Sequence, residues 1–308
     1  MPNRNVPSID GVSERTEGNW RVFSVADPNS LTQLVGWLKF TAESGLVLYR
    51  GQQRLHNTMM ATGFRDGGPR MHEQLNREMR EHVSKLTGAD CSCPSGPYSF
   101  GQAHLCRERV QRTTTPSRFV LSSTYRAVVE PLLQHYGLRT RWLDVVDNVW
   151  IALWFACHAQ ESEGRYAHHL RRSIAREGTD AKAYIVVFDT GPLVSTEIPG
   201  YSVGSHTRVV DLRYCVPSTY LRPHAQHGVL LAPAKIPDGV TPSLDAQVPC
   251  AIEVPLIDAL DWLGAGVMTS AFALFPPATR DIGYRRLLEP GVPVSKLLGE
   301  ITVFGPSG

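Results

Sequence analysis

The sequence predicts an α+β fold with a mixed or antiparallel sheet, because helical patterns concentrate early in the chain and strand patterns late. Residues 181–189 (AKAYIVVFD) carry the clearest strand pattern, a run rich in β-branched and aromatic residues. Residues 148–159 are apolar nearly all round, which predicts a buried helix. A doubly wound parallel sheet would instead alternate strands and helices along the whole chain.

The composition is that of an ordinary globular protein. Of the 308 residues, 42% are hydrophobic and 19% are charged, which provides for a buried core and argues against disorder. A net charge of +2 is too small to predict nucleic-acid binding from the total. No apolar run fits a membrane span or a secretory signal, and six cysteines do not make a disulfide framework. We therefore expect a soluble, cytoplasmic protein without a membrane partner.

We expect one domain over residues 19–308, preceded by a flexible polar arm over residues 1–18. A helical and loop insertion is expected near residues 55–130. Within it, residues 71–86 have the charged, amphipathic pattern of an exposed helix. Residues 88–118 are dominated by Gly, Pro and Ser, which predicts a long loop.

The chain before the insertion predicts a helix and a strand. Residues 30–44 place leucine and valine at helical spacing behind Ser30, the predicted N-cap. The short apolar run GLVLYRG at 45–51 then predicts a buried strand that carries Arg50 to its end.

The chain after the insertion predicts most of the sheet. Residues 122–136 predict a helix in which Pro131 causes a kink or a late start. A strand over 140–145 follows, and then Asp147 or Asn148 caps the apolar helix. Further strands are expected at 209–216, 227–234 and 247–255, and further helices at 256–264 and 279–291.

Four segments together resemble the FRG domain family. They are VLYRGQ at 47–52, QHYGLRTRWLDVVDNVWIALWFA at 134–156, RPHAQHGVLL at 222–231 and LFPPATRDIGYRRLL at 274–288. The second segment is the most specific, because it is a long ordered string of uncommon residue types. The resemblance extends from residue 30 to residue 290.

The order of parts also resembles ADP-ribosyltransferases of the Arg-Ser-Glu type. In those enzymes one strand ends in Arg-Gly, a later strand with a short polar stretch precedes an apolar helix, and an acidic motif runs into a further strand. The matching positions here are Arg50-Gly51, then Trp142-Leu143-Asp144 with residues 148–159, and then residues 226–233.

The chain departs from that pattern at two places. Leu143-Asp144 replaces the polar Ser-x-Ser stretch, and Gln226 and His227 stand where the pattern has its catalytic Glu. The resemblance implies a split sheet, NAD as the substrate and transfer of ADP-ribose to a macromolecule. A role as a toxin or anti-phage defence effector, with an antitoxin or regulatory partner, is implied as well. The missing Glu favours an alternative, a non-catalytic module that binds or senses a nucleotide.

The residues expected to hold NAD are Arg50, Gly51, Gln52, His135 and Arg141. A guanidinium such as that of Arg50 binds phosphate oxygens in a planar fork, and a glycine lets a ligand approach the backbone closely. A structural salt bridge at the strand end is the alternative for Arg50. A buried Arg141–Asp144 pair is the alternative for Arg141.

The catalytic candidates are Gln226, His227 and Asp144. Gln226 can hydrogen-bond a ribose hydroxyl, but it has no titrating group and so is not a base. His227 can act near neutral pH, and a solvated loop histidine is its alternative. Asp144 is the nearest carboxylate to replace the missing Glu.

The predicted loop also contains four soft ligands within 16 residues, namely Cys91, Cys93, His104 and Cys106. This composition suits zinc, but the one-residue spacings differ from the usual gaps of two to four residues. Loose thiols on a surface loop are therefore the alternative.

Two basic clusters slightly favour nucleic acid over protein as the acceptor. The first contains Arg107, Arg109 and Arg112, and the second lies within residues 165–176. If the two met at one rim they would form a groove for phosphates, and solvated charge is the alternative. A protein that binds nucleic acid without NAD is therefore a third hypothesis, with RNA or DNA as its partner.

Overall fold

The computed structural model describes residues 7–42, 45–65, 69–87, 126–235, 240–264, 269–288 and 296–304. The strands in these ranges are β1 (Val12–Glu17), β2 (Trp20–Val25), β3 (Val47–Gln52), β4 (Leu143–Val146), β5 (His158–Glu163), β6 (Tyr166–Arg171), β7 (Lys182–Asp189), β8 (Leu193–Ser195), β9 (Tyr201–Gly204), β10 (Thr207–Asp211), β11 (Gly228–Pro233), β12 (Cys250–Pro255) and β13 (Val303–Phe304).

Helices pack around these strands. They are α1 (Pro28–Thr41), α2 (Thr62–Arg65), α3 (Pro69–Thr87), α4 (Arg126–His135), α5 (Val149–Ala156), α6 (Ile174–Glu177), α7 (Leu212–Cys215), α8 (Leu221–Ala225), α9 (Leu256–Leu263), α10 (Ala271–Leu274) and α11 (Ile282–Leu288). Across the described ranges, no helix combines the length and the apolar character that crossing a membrane requires.

The described strands form two sheets. The large sheet has the order β1-β2-β12-β7-β3-β4-β11-β10-β9-β8, and the small one has the order β13-β6-β5. In the large sheet the β2–β12 pair is parallel and the other pairs are antiparallel. The predicted α+β class with a mixed sheet is therefore confirmed.

The centre of the large sheet is the strand that the sequence predicts most clearly. β7 lies between β12 and β3, and its residues Ile185 to Phe188 are completely buried. One face of the sheet packs under α1, α5 and α9, which together form the largest apolar cluster of the described chain. The predicted buried helix is thus present in α5, with Asn148 as its N-cap.

The large sheet opens between β3 and β4. β3 pairs with β7 over six positions, whereas its ladder with β4 within the described residues is the single pair Tyr49↔Val146. Beyond that pair the strands diverge, and the Arg50 side chain reaches across the gap. Its Nη1 donates a hydrogen bond of 2.5 Å to the backbone carbonyl of Asp144.

The predicted flexible arm is wrong for residues 12–17. These residues form β1, which pairs with β2 along its full length at the edge of the large sheet. β1 is almost entirely exposed and has no apolar alternation, so its sequence gives no strand signal. Ion pairs hold it instead, from Arg21 to Glu14 and from Arg15 to Glu253 of β12.

Three predicted element boundaries are wrong. Asp27 caps α1, and not Ser30, because its carboxylate accepts hydrogen bonds from the first backbone N–H groups of the helix. The apolar helix ends at Ala156, and the strand β5 begins at His158. The predicted strand over 209–216 ends at Asp211, whose side chain caps the short helix α7.

Gly51 allows α5 to pack closely on β3. A Cβ atom at this position would lie 1.8 Å from the carbonyl oxygen of Ala152 and 2.7 Å from the backbone nitrogen of Ala156. Both are backbone atoms of α5, so a side chain fits only if the helix moves. The two residues of the Arg-Gly signature therefore have different roles. Arg50 spans the sheet opening, and Gly51 allows α5 to pack against β3.

We expect Gly51→Ala to lower the free energy of unfolding by about 3 kcal/mol, because overpacking against a helix backbone cannot relax cheaply. Urea unfolding measures this value. The matched control is Gly36→Ala, in the exposed interior of α1, where an added Cβ meets nothing within 4 Å. That control should leave stability unchanged or raise it by up to about 1 kcal/mol. Equal stability of the two variants would contradict the packing role.

Candidate functional site

A cavity of about 690 Å³ occupies the opening between β3 and β4. This volume is within the usual range for small-molecule sites. Its lining residues come from β3 and the loop after it, from α4 and β4, and from the small sheet. Gln226, Phe275 and Thr302 also line the cavity. The sheet opening therefore creates a ligand-sized space at the end of the strand that carries Arg50.

Arg50 is the central cation of the cavity. Its Nη1 donates to the Asp144 carbonyl, whereas its Nε is buried and has no hydrogen-bond partner among the described residues. Burial lowers the pKa of the guanidinium to about 10. The negative charge of Asp144 acts against this shift, and the positive charge of Arg65 adds to it. The group still carries its charge at neutral pH. A charged group with an unused buried donor is suited to bind an anion.

Asp144 is held in place by two neighbours on α4. Gln134 Nε2 donates to one carboxylate oxygen at 2.7 Å, and His135 Nδ1 lies 3.3 Å from the other. Burial by itself would raise the pKa of Asp144, but the hydrogen bonds from His135 and Gln134 and the charge of Arg50 outweigh it. Its pKa is therefore lowered and the carboxylate is ionised at neutral pH. The side chain is 37% exposed, and it lines the cavity.

His135 owes its position to a glycine. A Cβ atom at Gly228, the first residue of β11, would lie 2.8 Å from the His135 Cε1. The imidazole thus fills the place where any other residue would put a side chain. It is almost completely buried, and its Nε2 has no hydrogen-bond partner in the part of the chain that the structure describes.

The cavity is strongly cationic at one end. The arginines that line it in the described chain are Arg50, Arg54, Arg65 and Arg139. Against them, Asp144 is the one lining carboxylate among the same residues. Arg54, Arg65 and Arg139 are exposed and Arg50 is half-buried. Cations around a cavity attract an anionic ligand, and guanidinium groups match phosphate oxygens in geometry.

The other end of the cavity is aromatic. Phe155, His158, His169, Phe275 and Phe304 line it. His169 stacks on Phe275 with the ring centroids 4.2 Å apart, and Phe304 lies 4.4 Å from Phe275. Burial, followed by the charges of His158 and Arg222, lowers the pKa of His169 to about 3. His169 is therefore a neutral ring in an aromatic wall.

Behind this wall lies a buried arginine that sequence reasoning missed. Arg222 is 1% exposed, and its guanidinium lies between 4.4 and 5.5 Å from the ring centroids of Tyr136, Tyr284, Phe275 and Phe304. Cation–π contacts of this kind stabilise a buried charge. Its position within the string RPHAQHG was visible in the sequence, but nothing local predicts that distant rings enclose it.

Most of the residues predicted to hold NAD line the cavity. Arg50, Gly51, Gln52 and His135 all do so. Gln52 has a buried Oε1 without a hydrogen-bond partner among the described residues, which leaves an acceptor available. Gly51 differs from the prediction in its role, because the space of its missing side chain is filled by α5 and not by a ligand.

The alternative interpretation of Arg141, a pair with Asp144, is wrong, and its expected contact with NAD stays a prediction. It is not one of the cavity-lining residues of the described chain, and its guanidinium binds Glu130 of α4 at 2.9 Å. It therefore pairs with Glu130 and not with Asp144. Arg141 lies before β4 begins at Leu143, whereas Asp144 lies within the strand.

Gln226 and His227 have separate environments. Gln226 lines the cavity, but its side-chain amide donates a 2.8 Å hydrogen bond to the Leu274 carbonyl. His227 lies outside the described lining, where its Nδ1 is 2.9 Å from Asp147 and 3.2 Å from Arg213. The structure therefore does not bring His227 together with the cavity residues, and its expected catalytic role stays a prediction. Its backbone has a positive φ of 52°, which turns the side chain into this ion-pair network.

The predicted zinc ligands and the first basic cluster lie outside the described residues. These are Cys91, Cys93, His104 and Cys106, and Arg107, Arg109 and Arg112. Within the described ranges there is no group of three or more potential metal ligands.

The second basic cluster is not a continuous solvated face. Arg172 is buried, and it binds Glu177 and the carbonyl oxygens of Ala156 and Lys182. His169 belongs to the aromatic wall of the cavity. Arg172 therefore ties the segment after the small sheet to the end of α5, while Arg165, Arg171 and Arg176 are exposed.

One sequence comparison bears on this site. Residues 45–165 match the family model of the FRG domain. The match supports the FRG family, and it includes Arg50, His135 and Asp144. No curated protein and no solved structure matches the chain. The FRG segment thus contributes the charged end of the cavity, while His169 and much of the aromatic wall lie beyond it.

The buried neutral His169 predicts a pH dependence of stability. Its folded pKa of about 3 lies below the value near 6.5 expected in the unfolded chain, so the unfolded state binds more protons between these values. The free energy of unfolding should therefore fall as the pH falls below 6.5, by up to about 1.4 kcal/mol per pH unit from this group.

Urea unfolding of His169→Phe at pH 7 and pH 5 tests this contribution. Between pH 7 and pH 5 the free energy of unfolding should fall by about 2 kcal/mol less in the variant than in the wild-type protein. The reason is that phenylalanine takes up no proton and keeps an aromatic ring at this position. His168→Phe is the control, since His168 is an exposed neighbour on the same strand. The same pH dependence in all three proteins would show that His169 is not held neutral by burial.

Proposed function

We propose that the chain binds NAD in the cavity between β3 and β4 and transfers its ADP-ribose to a macromolecule. The observation that carries the proposal is the pairing of Arg50 with Asp144 at one end of a ligand-sized cavity. The first offers a buried cation with an unused donor, and the second offers a fixed, ionised carboxylate. The family pattern of ADP-ribosyltransferases supplies the reaction, and the geometry supplies groups with the charges that this reaction needs.

The phosphates of NAD belong at the cationic end. Arg50 would bind one phosphate through its free edge while its Nη1 keeps the bond to the Asp144 carbonyl. Arg54 and Arg65 also line the cavity and add positive charge near Arg50, and Arg54 in addition lowers the pKa of the Glu177 carboxyl. A pyrophosphate with two negative charges matches this excess of cations.

Asp144 would act on the ribose. In the transfer, the bond between the ribose C1′ and the nicotinamide nitrogen breaks, and nicotinamide leaves with the electron pair. The positive charge that develops on the ribose is stabilised by a fixed anion beside it. The acceptor then forms a bond to C1′ and releases its proton to water. Because Asp144 is already ionised and held from two sides, it requires no rearrangement during the reaction.

A second candidate is nucleotide binding without transfer. The observation that favours it is Gln226, which stands where the enzyme pattern has Glu and whose amide is engaged by the Leu274 carbonyl. Gln226 supplies no base, so an acceptor that must lose its proton before it attacks would receive no help from this position. Binding and turnover are therefore measured separately.

Replacing Arg50 tests the binding step. Calorimetric titration with NAD should show a loss of affinity of about a hundredfold for Arg50→Ala, because a buried charged hydrogen bond to phosphate is removed. Arg50→Lys should give an intermediate loss, since lysine retains the charge but not the planar fork. Arg176→Ala, an exposed arginine on α6, is the matched control and should bind as the wild-type protein does. Equal affinity of the Arg50→Ala variant would remove the basis of the proposal.

Replacing Asp144 tests the chemical step. For Asp144→Asn we expect the rate of nicotinamide release to fall at least about a hundredfold, with little change in NAD affinity, because a transition-state charge loses its partner. Chromatography of nicotinamide gives the rate and calorimetry gives the affinity. Wild-type protein that binds NAD and releases no nicotinamide, with or without an acceptor, would favour the second candidate.

The acceptor is part of the same proposal. RNA, DNA and protein are compared by incubating each with the protein and NAD labelled in its adenylate phosphate, and then measuring the label on the macromolecule. Nucleic acid is the acceptor proposed from the basic clusters. If the labelled macromolecule is one that a cell needs for growth, a toxin or anti-phage role with an antitoxin partner would follow.

A further inference from the structure

The aromatic end of the cavity has a different chemistry from the phosphate end. We infer that it is the subsite for a neutral purine ring, formed by His169, Phe275 and Phe304, and that the ribose to be attacked lies beside Asp144. The inference rests on the proposed nucleotide site, and it assigns the direction in which the nucleotide lies in it.

The first argument is the shape and composition of the wall. Phe155, Phe275, Phe304 and His169 all line the cavity, and the last three pack against one another with ring centroids 4.2 to 5.4 Å apart. A flat base packs well against such a surface because every base has an aromatic face. The phosphate end has no comparable group of rings among the residues described.

The second argument is the unused hydrogen-bonding capacity of His169. The residue is 7% exposed and lines the cavity, and neither ring nitrogen has a hydrogen-bond partner within the described ranges. A neutral imidazole offers one donor and one acceptor. Because a purine edge presents both donors and acceptors, a single hydrogen bond to either nitrogen of His169 matches it.

The third argument is the buried charge of Arg222. Its guanidinium lies behind two rings of the wall, 5.5 Å from the centre of Phe275 and 4.7 Å from that of Phe304. The nicotinamide ring of NAD carries a positive charge, which this cation repels, whereas adenine is uncharged. The carboxylate of Asp144, on the other side of His135 from the Arg222 guanidinium, attracts the same positive ring. The two charges therefore orient NAD with adenine at the aromatic wall and nicotinamide at Asp144.

Two ligands that each contain half of NAD distinguish the purine subsite from the nicotinamide subsite. ADP contains the purine without nicotinamide, and nicotinamide mononucleotide contains the charged ring without the purine. Phe304→Leu and His169→Phe should each weaken ADP binding about tenfold, or about 1.4 kcal/mol, because they remove a ring face or the hydrogen-bonding nitrogens. Binding of nicotinamide mononucleotide should stay within about twofold of the wild-type value. Phe272→Leu is the control, an exposed phenylalanine on α10 outside the described lining of the cavity.

Calorimetric titrations with both ligands decide between the orientations, and thermal unfolding checks that each variant is folded. An equal or larger loss for nicotinamide mononucleotide would overturn the inference, as would ADP binding that is unchanged in both variants. The absence of ADP binding to the wild-type protein would also overturn it.

Photolabelling of the wild-type protein with 8-azido-ADP gives the same decision without any variant. Label on peptides that contain His169, Phe275 or Phe304 supports the purine subsite, and label confined to residues 49–56 overturns it. The result is independent of transfer. If the label reaches the aromatic wall while NAD is never consumed, the catalytic proposal fails and the purine subsite stands. If NAD is consumed and the label lies at residues 49–56, the reverse holds.

Discussion

The bond from the Arg50 guanidinium to the carbonyl of Asp144 is the contact on which the rest of this site depends. Two strands of one sheet normally satisfy each other's backbone groups along their length, and β3 and β4 do so at a single pair of the described ladder. The arginine takes the place of the missing ladder bond and lets the strands separate without leaving that carbonyl unpaired. The opening is therefore part of the folded structure.

The same opening explains why the neighbouring polar groups are fixed. Gln134 bonds Asp144 and also accepts a hydrogen bond from Thr140, so one amide ties the end of α4 to the start of β4. The absence of a side chain at Gly228 of β11 leaves room for the His135 ring, which contacts the other carboxylate oxygen of Asp144. The carboxylate thus has its orientation set by three elements. Preorganisation of this kind is what an electrostatic role requires, because the protein spends no energy on reorienting dipoles during the reaction.

Local signals allowed the sequence to predict the central elements. β7 and α5 are correct because an apolar run of fitting length is a local property. Arg50 was singled out within the segment 47–52, and His135 and Asp144 within the segment 134–156, and all three line the cavity. The failures have a common physical cause. β1 is held by charges on other strands, Arg141 pairs with Glu130 on the preceding helix, and Arg222 is enclosed by rings from distant parts of the chain. Contacts between residues far apart in sequence leave no trace in a single stretch of it.

The distribution of the cavity wall along the chain has a practical consequence. The residues that match the FRG domain end at 165, yet β7, which separates β3 from β12, and the rings of Phe275 and Phe304 come later. A fragment excised at the limits of the match would expose the edge of β3 and retain half of the site. Transplanting the whole cavity into another protein therefore requires the chain through residue 304, because a segment that ends at 165 leaves out Phe275 and Phe304.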